Sequence, residues 1–412
     1  MRKFVALVTC LGLAVAGCSK KNEPATSGGA PARTKVAFVP KLQGIPYFEA
    51  MNTGGRKAAD ALGVDWIYKG GTTADPGAQT EILKSLIQQK VDVLVVAPND
   101  PDSVVPILAD AAGKGIKVMT SDTDAPNSAR EVFVNQASAE GVGKALIDSL
   151  LGAMGGSGKY AVVSCGQTAA NLNSWIDVQK KYAPTAFPNS SLVDIVYAGE
   201  DEAKATSMAK DLLNAHPDLT GLIGECTSSA PAVAKAVRET GKIGKVFTVG
   251  LGTPNSMKPY LADGSSSTSI LWDVEQLGYL TAWAAVKVKK GEVLAPTNRV
   301  SDKLPAVTYT EKGKELLLGE PGDQRDRPAM AQILAVTPVG EALQALDWPK
   351  NTPLRTMTVA GEKLRHWGSA DLPFDVGVLY GCAEAFMITD SFEPWSNRVT
   401  SATATEADRE QA

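Results

Sequence analysis

The sequence predicts an α/β protein of two doubly wound lobes, each a parallel sheet with helices on both faces. Three observations carry that prediction. From residue 35 onward, short apolar runs rich in β-branched residues alternate with stretches of helical period, so strand and helix follow each other in turn. The links between them are short, as βα and αβ connections are. The whole pattern starts again after residues 132–134, which gives a second unit of similar size. With 412 residues, 44% apolar and 21% charged at a formal net charge of −4, the chain has material for two or three domains. It is neither collagen-like, disordered nor a polytopic membrane protein. Two histidines, His216 and His366, leave little for a Ser/His/Asp triad or a His-rich zinc site, and the acidic balance gives no basic footprint for nucleic acid.

Residues 1–17 read as a targeting segment. Arg2 and Lys3 form a positive n-region, 4–15 are an apolar run too short to span a bilayer, and small residues follow. Val15-Ala16-Gly17-Cys18 resembles a bacterial lipobox, which makes Cys18 the lipid-bearing first residue of the mature chain; an ordinary cleaved signal peptide is the alternative. Residues 19–34 are polar and rich in Gly, Pro, Ala and Ser, so 18–34 is expected as a lipidated cysteine on a flexible tether. The first lobe opens with strands at 36–39, 64–68, 91–97 and 116–120. Between the second and third of these, 77–89 carries Ile82, Leu83, Leu86 and Ile87 on one helical face. After 132–134 come strands at 160–164, 192–196, 219–224, 246–249 and 267–271, with helices between them. A return helix over 276–288 is expected to cross back to the first lobe.

In doubly wound sheets, ligands settle at the carboxyl ends of the strands, where loops splay and helix N-termini point inward. Those ends offer Lys41, then Asn99 and Asp100, then Asp122 and Asp124 from the first lobe. The second lobe offers Asn171, Asn173 and Trp175, then Glu225, then Gly250-Leu251-Gly252, then Trp272 and Asp273. Amide, carboxylate, ammonium and indole groups thus converge on one cleft without a plausible nucleophile–base pair. Such a set suits holding a neutral polyhydroxylated molecule, because carboxylates and amides share hydroxyl protons and aromatic faces cover the C–H faces of a ring. Structural roles compete for several of these residues. Lys41 could be solvated, Asp122 and Asp124 could cap a turn, Asn173 could cap a helix, and Trp175 and Trp272 could simply pack. Glu225 is the hardest to explain structurally, since an acid ending a buried strand needs a partner. Glu200 is expected outside the cleft.

VAFVPKLQGIPYFEAMNTGGRKAADALGV, VVAPNDPDSVVPILADAAGKGIKVMTSDTD, and VGLGTPNSMKPYLADG followed by LWDVEQLGYL resemble the bacterial periplasmic sugar-binding proteins of type I, in the branch holding rhamnose and autoinducer-2 binders. The resemblance spans about residues 35–320 and implies two Rossmann-like lobes joined by a three-crossover hinge. It divides the chain into 35–135 plus about 274–300 as first lobe, 136–273 plus about 301–320 as second, and 321–412 as an extension of uncertain structure. Lys41 and Asp122 match the autoinducer-2 binders, Asn173 and Trp175 an N-x-W of this branch, and Tyr47-Phe48 its aromatic pair after the first strand. Asn171-Leu172 stands where the autoinducer-2 binders have Asp-Gln, and Glu225-Cys226-Thr227 where they have Pro-Asp-Ala, which argues against autoinducer-2 itself. The expected protein is a lipid-anchored, extracytoplasmic substrate-binding protein of a carbohydrate ABC importer in the periplasm or its equivalent. It would bind a monosaccharide-like ligand, partner the permease subunits, touch the membrane only through its anchor, and act as a monomer without cofactor, metal, nucleic acid or enzymatic turnover. The alternative is an autoinducer-2 or sugar receptor feeding a signalling or chemotaxis partner.

Two further features need a reading. Gly155-Gly156-Ser157-Gly158-Lys159 looks like a phosphate loop, but Ala153 and Tyr160 break the spacing and the order is helix then strand, so it is a turn. Cys165 and Cys226 end neighbouring strands and a disulfide is conceivable, although the expectation leans against it because strand-end side chains often point apart. In the extension, 334–346 could be a helix and 376–380 a strand.

Overall fold

The computed structural model describes residues 33–302, 304 and 306–319, with the backbone of 334–336. The expected signal segment, Cys18, most of the tether and residues 337–412 lie outside the described residues.

Strands β1 (Lys35–Val39), β2 (Asp65–Tyr68), β3 (Val93–Val96), β4 (Lys117–Ser121) and β5 (Val132–Asn135) run parallel in the order β2-β1-β3-β4-β5. A second sheet repeats that order. Its strands β6 (Ser157–Ser164), β7 (Asn189–Tyr197), β8 (Leu219–Gly224), β9 (Phe247–Leu251) and β10 (Thr268–Leu271) pair as β7-β6-β8-β9-β10, again in parallel. β3 is buried at every residue, as expected of a strand covered by helices on both faces. Each sheet therefore has one point where strand order reverses, between β1 and β3 in the first and between β6 and β8 in the second. The loops leaving those strands diverge to opposite faces and open a crevice.

The first sheet carries helices α1 (Pro46–Leu62), α2 (Pro76–Gln88) and α3 (Val105–Gly113), and the second α4 (Ala139–Ala153), α5 (Ala170–Ala186), α6 (Glu202–Ala215), α7 (Ser229–Glu239) and α8 (Pro254–Ala262). Helix starts follow local chemistry. Proline sits in the first turn of α1, α2, α3 and α8, where its missing N–H costs nothing, while Asp75, Ser138 and Asp201 cap α2, α4 and α6. Helix α9 (Val274–Lys290) is the expected return helix, capped by Asp273 and packed against α1 of the first unit. The packing is backbone to backbone. A Cβ at Gly54 would lie 1.8 Å from the Glu275 carbonyl oxygen, and one at Gly278 1.9 Å from that of Met51. Of the phosphate-loop look-alike, Gly155 and Gly156 form a turn between α4 and β6, both at positive φ, while Ser157, Gly158 and Lys159 already belong to β6.

Three expectations need correction. Strands β11 (Thr297–Asn298), β12 (Val307–Thr310) and β13 (Glu315–Leu317) all join the first sheet, where β13 runs parallel to β5; residues 307–317 therefore belong to the first unit rather than the second. Pairing of Asn298 with Val307 inside that sheet also removes the expected passage to the second lobe at about residues 300–301. The chain changes sheets between β5 and α4, between β10 and α9, and again after β13, because β14 (Leu334–Val336) pairs antiparallel with β10. Residues 334–336 are thus strand where a helix was expected.

Candidate functional site

Both switch points open onto one cleft. From the first sheet, Lys41 follows β1 and Asp122 follows β4. Asp122 sits at φ 67° in the left-handed region, a conformation that only a short polar side chain or glycine adopts readily. That turn breaks the strand alternation and directs the carboxylate into the cleft. Its Oδ1 accepts from Tyr47 Oη at 2.7 Å, its Oδ2 accepts from Thr123 Oγ1 at 2.9 Å, and Lys41 Nζ lies 3.6 Å from Oδ2. Lys41, Tyr47 and Asp122 are each 5% exposed or less. Burial, then the Asp122 charge, holds the Tyr47 phenol well above its ordinary range, so it stays a donor.

Helix α5 supplies the facing wall. Asn171, Trp175 and Gln179 are four residues apart and so share one helical face. Lys41 Nζ donates to Asn171 Oδ1 at 2.9 Å, and Asn171 Nδ2 reaches Asp122 Oδ2 at 3.5 Å, so both first-unit charges are bridged across the cleft. Trp175 meets Trp272 edge-on with ring centroids 5.7 Å apart. Trp272 in turn donates its Nε1–H to Tyr47 Oη at 3.0 Å, and Phe48 packs edge-on against Tyr47 at 5.1 Å. These groups line a cavity of about 40 Å³.

Two further carboxylates border that cavity. Glu225, after β8, is fully buried, and both its oxygens accept from Gln179 Nε2 at 2.8 and 2.9 Å. Desolvation pushes its carboxyl up from 4.5 to about 8, so the acid is largely protonated at neutral pH. Glu200, expected outside, lines the cavity instead, and its Oε2 accepts from Ser228 Oγ at 2.9 Å. Burial raises its carboxyl, against the lowering pull of Lys41 and the Ser228 bond. The strand-end rule applied to β7 would have found Glu200, and the four-residue spacing from Trp175 would have found Gln179. The expectation against a disulfide is likewise corrected. Cys165 and Cys226 are bonded, with Cα atoms 6.1 Å apart, and join the ends of β6 and β8 at the second switch point. Their sulfurs and a Glu200 oxygen lie within 4.8 Å of one another, but bonded sulfurs leave no thiolate for a metal.

Four expected residues are set apart from this cavity by local bonds. Asp100 accepts from the Asp102 and Ser103 amides, holding the turn before α3. Asp124 pairs with Arg130 and accepts from Thr120 Oγ1 at 2.8 Å. Asp273 caps α9, its Oδ1 accepting from the Gln276 amide at 2.9 Å. Asn173 donates to the Gln167 carbonyl at 2.9 Å, because a residue midway between Asn171 and Trp175 points to the far side of α5. Asn99 is buried and donates to the Lys41 carbonyl at 2.9 Å, which places it behind the lysine and beside an adjoining chamber.

A family described as periplasmic binding protein domain matches residues 36–292. The ribose import binding protein of Escherichia coli (strain K12) is 25% identical over 307 residues, covering 74% of this chain and 98% of its own length. Among solved structures, an ABC transporter solute binding protein from Clostridium phytofermentas with bound L-rhamnose matches at 29% identity and a TM-score of 0.69, over 77% of this chain and 100% of that one. LsrB from Clostridium saccharobutylicum in complex with AI-2, 24% identical with a TM-score of 0.67 over 76% and 99% of the two chains, shares the fold.

Proposed function

The chain belongs to the periplasmic binding protein family, and from that premise we propose that it is a lipid-anchored, extracytoplasmic substrate-binding protein of a carbohydrate ABC importer. Its ligand is monosaccharide-like, of the rhamnose-like branch, and is held between the two lobes. The observation that carries this reading is the Asp122–Lys41 pair of the first unit facing Asn171, Trp175 and Trp272 of the second across the cleft. A carboxylate, an ammonium and an amide can trade their mutual bonds for bonds to sugar hydroxyls, while the indoles cover apolar ring faces. The ribose and L-rhamnose associations of the relatives support the ligand class.

Lys41, Tyr47, Phe48, Asp122, Asn171, Trp175, Glu225 and Trp272 are the proposed ligand contacts, with Glu200 added. Cys18 is the proposed lipid attachment. Among the described residues, no helix is long and apolar enough to cross a membrane. Cys18→Ser should release protein that otherwise partitions into detergent.

Calorimetric screening of pentoses, deoxyhexoses, hexoses and autoinducer-2 tests the ligand class. A Kd of about micromolar or tighter, near −8 kcal/mol, is the expected result for the best sugar. Binding confined to amino acids, peptides or metal ions would overturn the reading.

A further inference from the structure

The Cys165–Cys226 bond is set into the wall of the cleft. Cys226 borders the inner aromatic cavity, and Cys165 borders an adjoining chamber of about 250 Å³ walled by Asn99 of the first unit and Gln167, Thr168 and Tyr197 of the second. A Glu200 carboxyl oxygen lies within 4.8 Å of both sulfurs, and Glu200 lines both spaces. The two cysteines are 61 residues apart in sequence, and their bond joins β6 to β8 where the loops of the second sheet diverge to opposite faces.

Three strand-end loops are fastened around that bond. After β6, Thr168 donates from Oγ1 to the Asn99 carbonyl of the first unit at 3.0 Å. After β7, the Gly199 amide donates to the Cys165 carbonyl at 3.0 Å, which seats the neighbouring Glu200. After β8, Glu225 directly precedes Cys226, and Ser228 donates from Oγ to Glu200 Oε2 at 2.9 Å. The Cys226 amide donates to Ser229 Oγ at 3.0 Å and its carbonyl accepts from the Ala230 amide at 2.9 Å, so Cys226 is fixed to the start of α7. Breaking the sulfur–sulfur bond leaves these local bonds in place but removes the covalent tie between the β6 and β8 loops. A shift of about 1 Å between those loops is enough to misplace groups that must meet a ligand within hydrogen-bond tolerance.

Building on the carbohydrate reading, we propose that this disulfide is a positioning element of the sugar site: the bonded form holds Thr168, Glu200 and Glu225 in place for the ligand, and the dithiol form binds the same sugar more weakly. The relation runs both ways, because a ligand that prefers the bonded form must in turn stabilise it. Cys165 and Cys226 are 1% and 7% exposed and line the spaces of the cleft, so bound sugar stands between the bond and an attacking thiolate. Reduction by a dithiol moves two electrons and two protons. The reagent's thiolate attacks one protein sulfur and the protein S–S bond breaks; its second thiol then resolves the mixed disulfide, which leaves an oxidised reagent and two protein thiols.

The test is calorimetry on the full chain with ribose, L-rhamnose and D-arabinose, before and after reduction by dithiothreitol, and on the Cys165→Ala/Cys226→Ala double variant without reductant. The sugar that binds the oxidised protein best should bind both the dithiol form and the double variant at least about tenfold more weakly. Dithiothreitol should not change the double variant further, which separates this bond from the other cysteines of the chain. A second measurement needs no variant and serves if the double variant does not fold. By linkage, a tenfold loss of affinity on reduction means that saturating sugar lowers the reduction potential of the bond by about 30 mV. A bond that only stabilised the fold would raise the melting temperature but leave affinity the same in both forms and the potential the same with and without sugar. That result would overturn the proposal and leave the carbohydrate reading intact, as would free thiols at both positions in protein isolated without reductant. If no sugar binds the oxidised protein, the carbohydrate reading fails and this proposal falls with it.

Discussion

At the scale of residues, the cleft is a set of buried charges whose partners are other cleft residues. Asp122 balances Lys41, so truncating it to alanine would strand a cation that is 5% exposed, at a cost of several kcal/mol to the fold. Asp122→Asn is the cleaner probe, because asparagine tolerates the left-handed backbone and keeps the shape. Losing one charge-assisted bond, worth about 1.5–3 kcal/mol, should weaken sugar binding about 10- to 100-fold. Unchanged affinity in a folded Asp122→Asn protein would remove Asp122 from the site. Glu225 makes a different prediction. Folding lifts its carboxyl from 4.5 to about 8, so the folded state holds a proton that the unfolded chain has released between those values. That contribution is full below pH about 4.5 and is lost as pH rises toward 8, with a slope of at most about 1.4 kcal/mol per pH unit. Glu225→Gln has no proton to lose. Its melting temperature should gain on wild type as pH rises from 5 to 8, and parallel melting curves would sink the assignment.

At the scale of elements, one helix face and one helix pair do most to build the site. The face is on α5, where Asn171, Trp175 and Gln179 align to meet Lys41, Trp272 and Glu225 in turn. The pair is α1 against α9, which holds Tyr47 and Phe48 at the cleft by seating two glycines on opposing carbonyls. Gly278→Ala gains about 1 kcal/mol of helix propensity, but its methyl would stand 1.9 Å from a backbone oxygen that no rotamer can move. Overpacking should win, with a net loss of about 1–3 kcal/mol in urea unfolding. Gly152→Ala is the contrast: its added methyl meets nothing within 4 Å, and it should stabilise α4 by about 0.5–1 kcal/mol. Equal effects of the two substitutions would mean that α1 and α9 are not in close contact.

At the scale of the whole molecule, Lys41–Asn171 and Thr168–Asn99 tie one unit to the other, and such bonds exist only while the units are together. We expect the two units to open and close about the chain segments that link the sheets. Scattering in solution should show a more compact particle when sugar is added at saturation. A profile that does not change would count against a hinged receptor.

The sequence by itself determined the doubly wound architecture, its repeat, the return helix and the cleft-facing Lys41, Asp122, Trp175 and Glu225. Each of these depends on local period or on position at a strand end, and both are written along the chain. It did not determine the assignment of 307–317 to the first sheet, because short antiparallel strands carry no mark of which edge they will join. Asn171 rather than Asn173, Glu200 and the Cys165–Cys226 bond also had to come from the fold. Those outcomes turn on where a helix face points, which loop lies over a switch point, and whether two strand ends bring their sulfurs together. Only packing in three dimensions settles these, because the partners lie tens of residues apart in sequence and each has a plausible local role of its own.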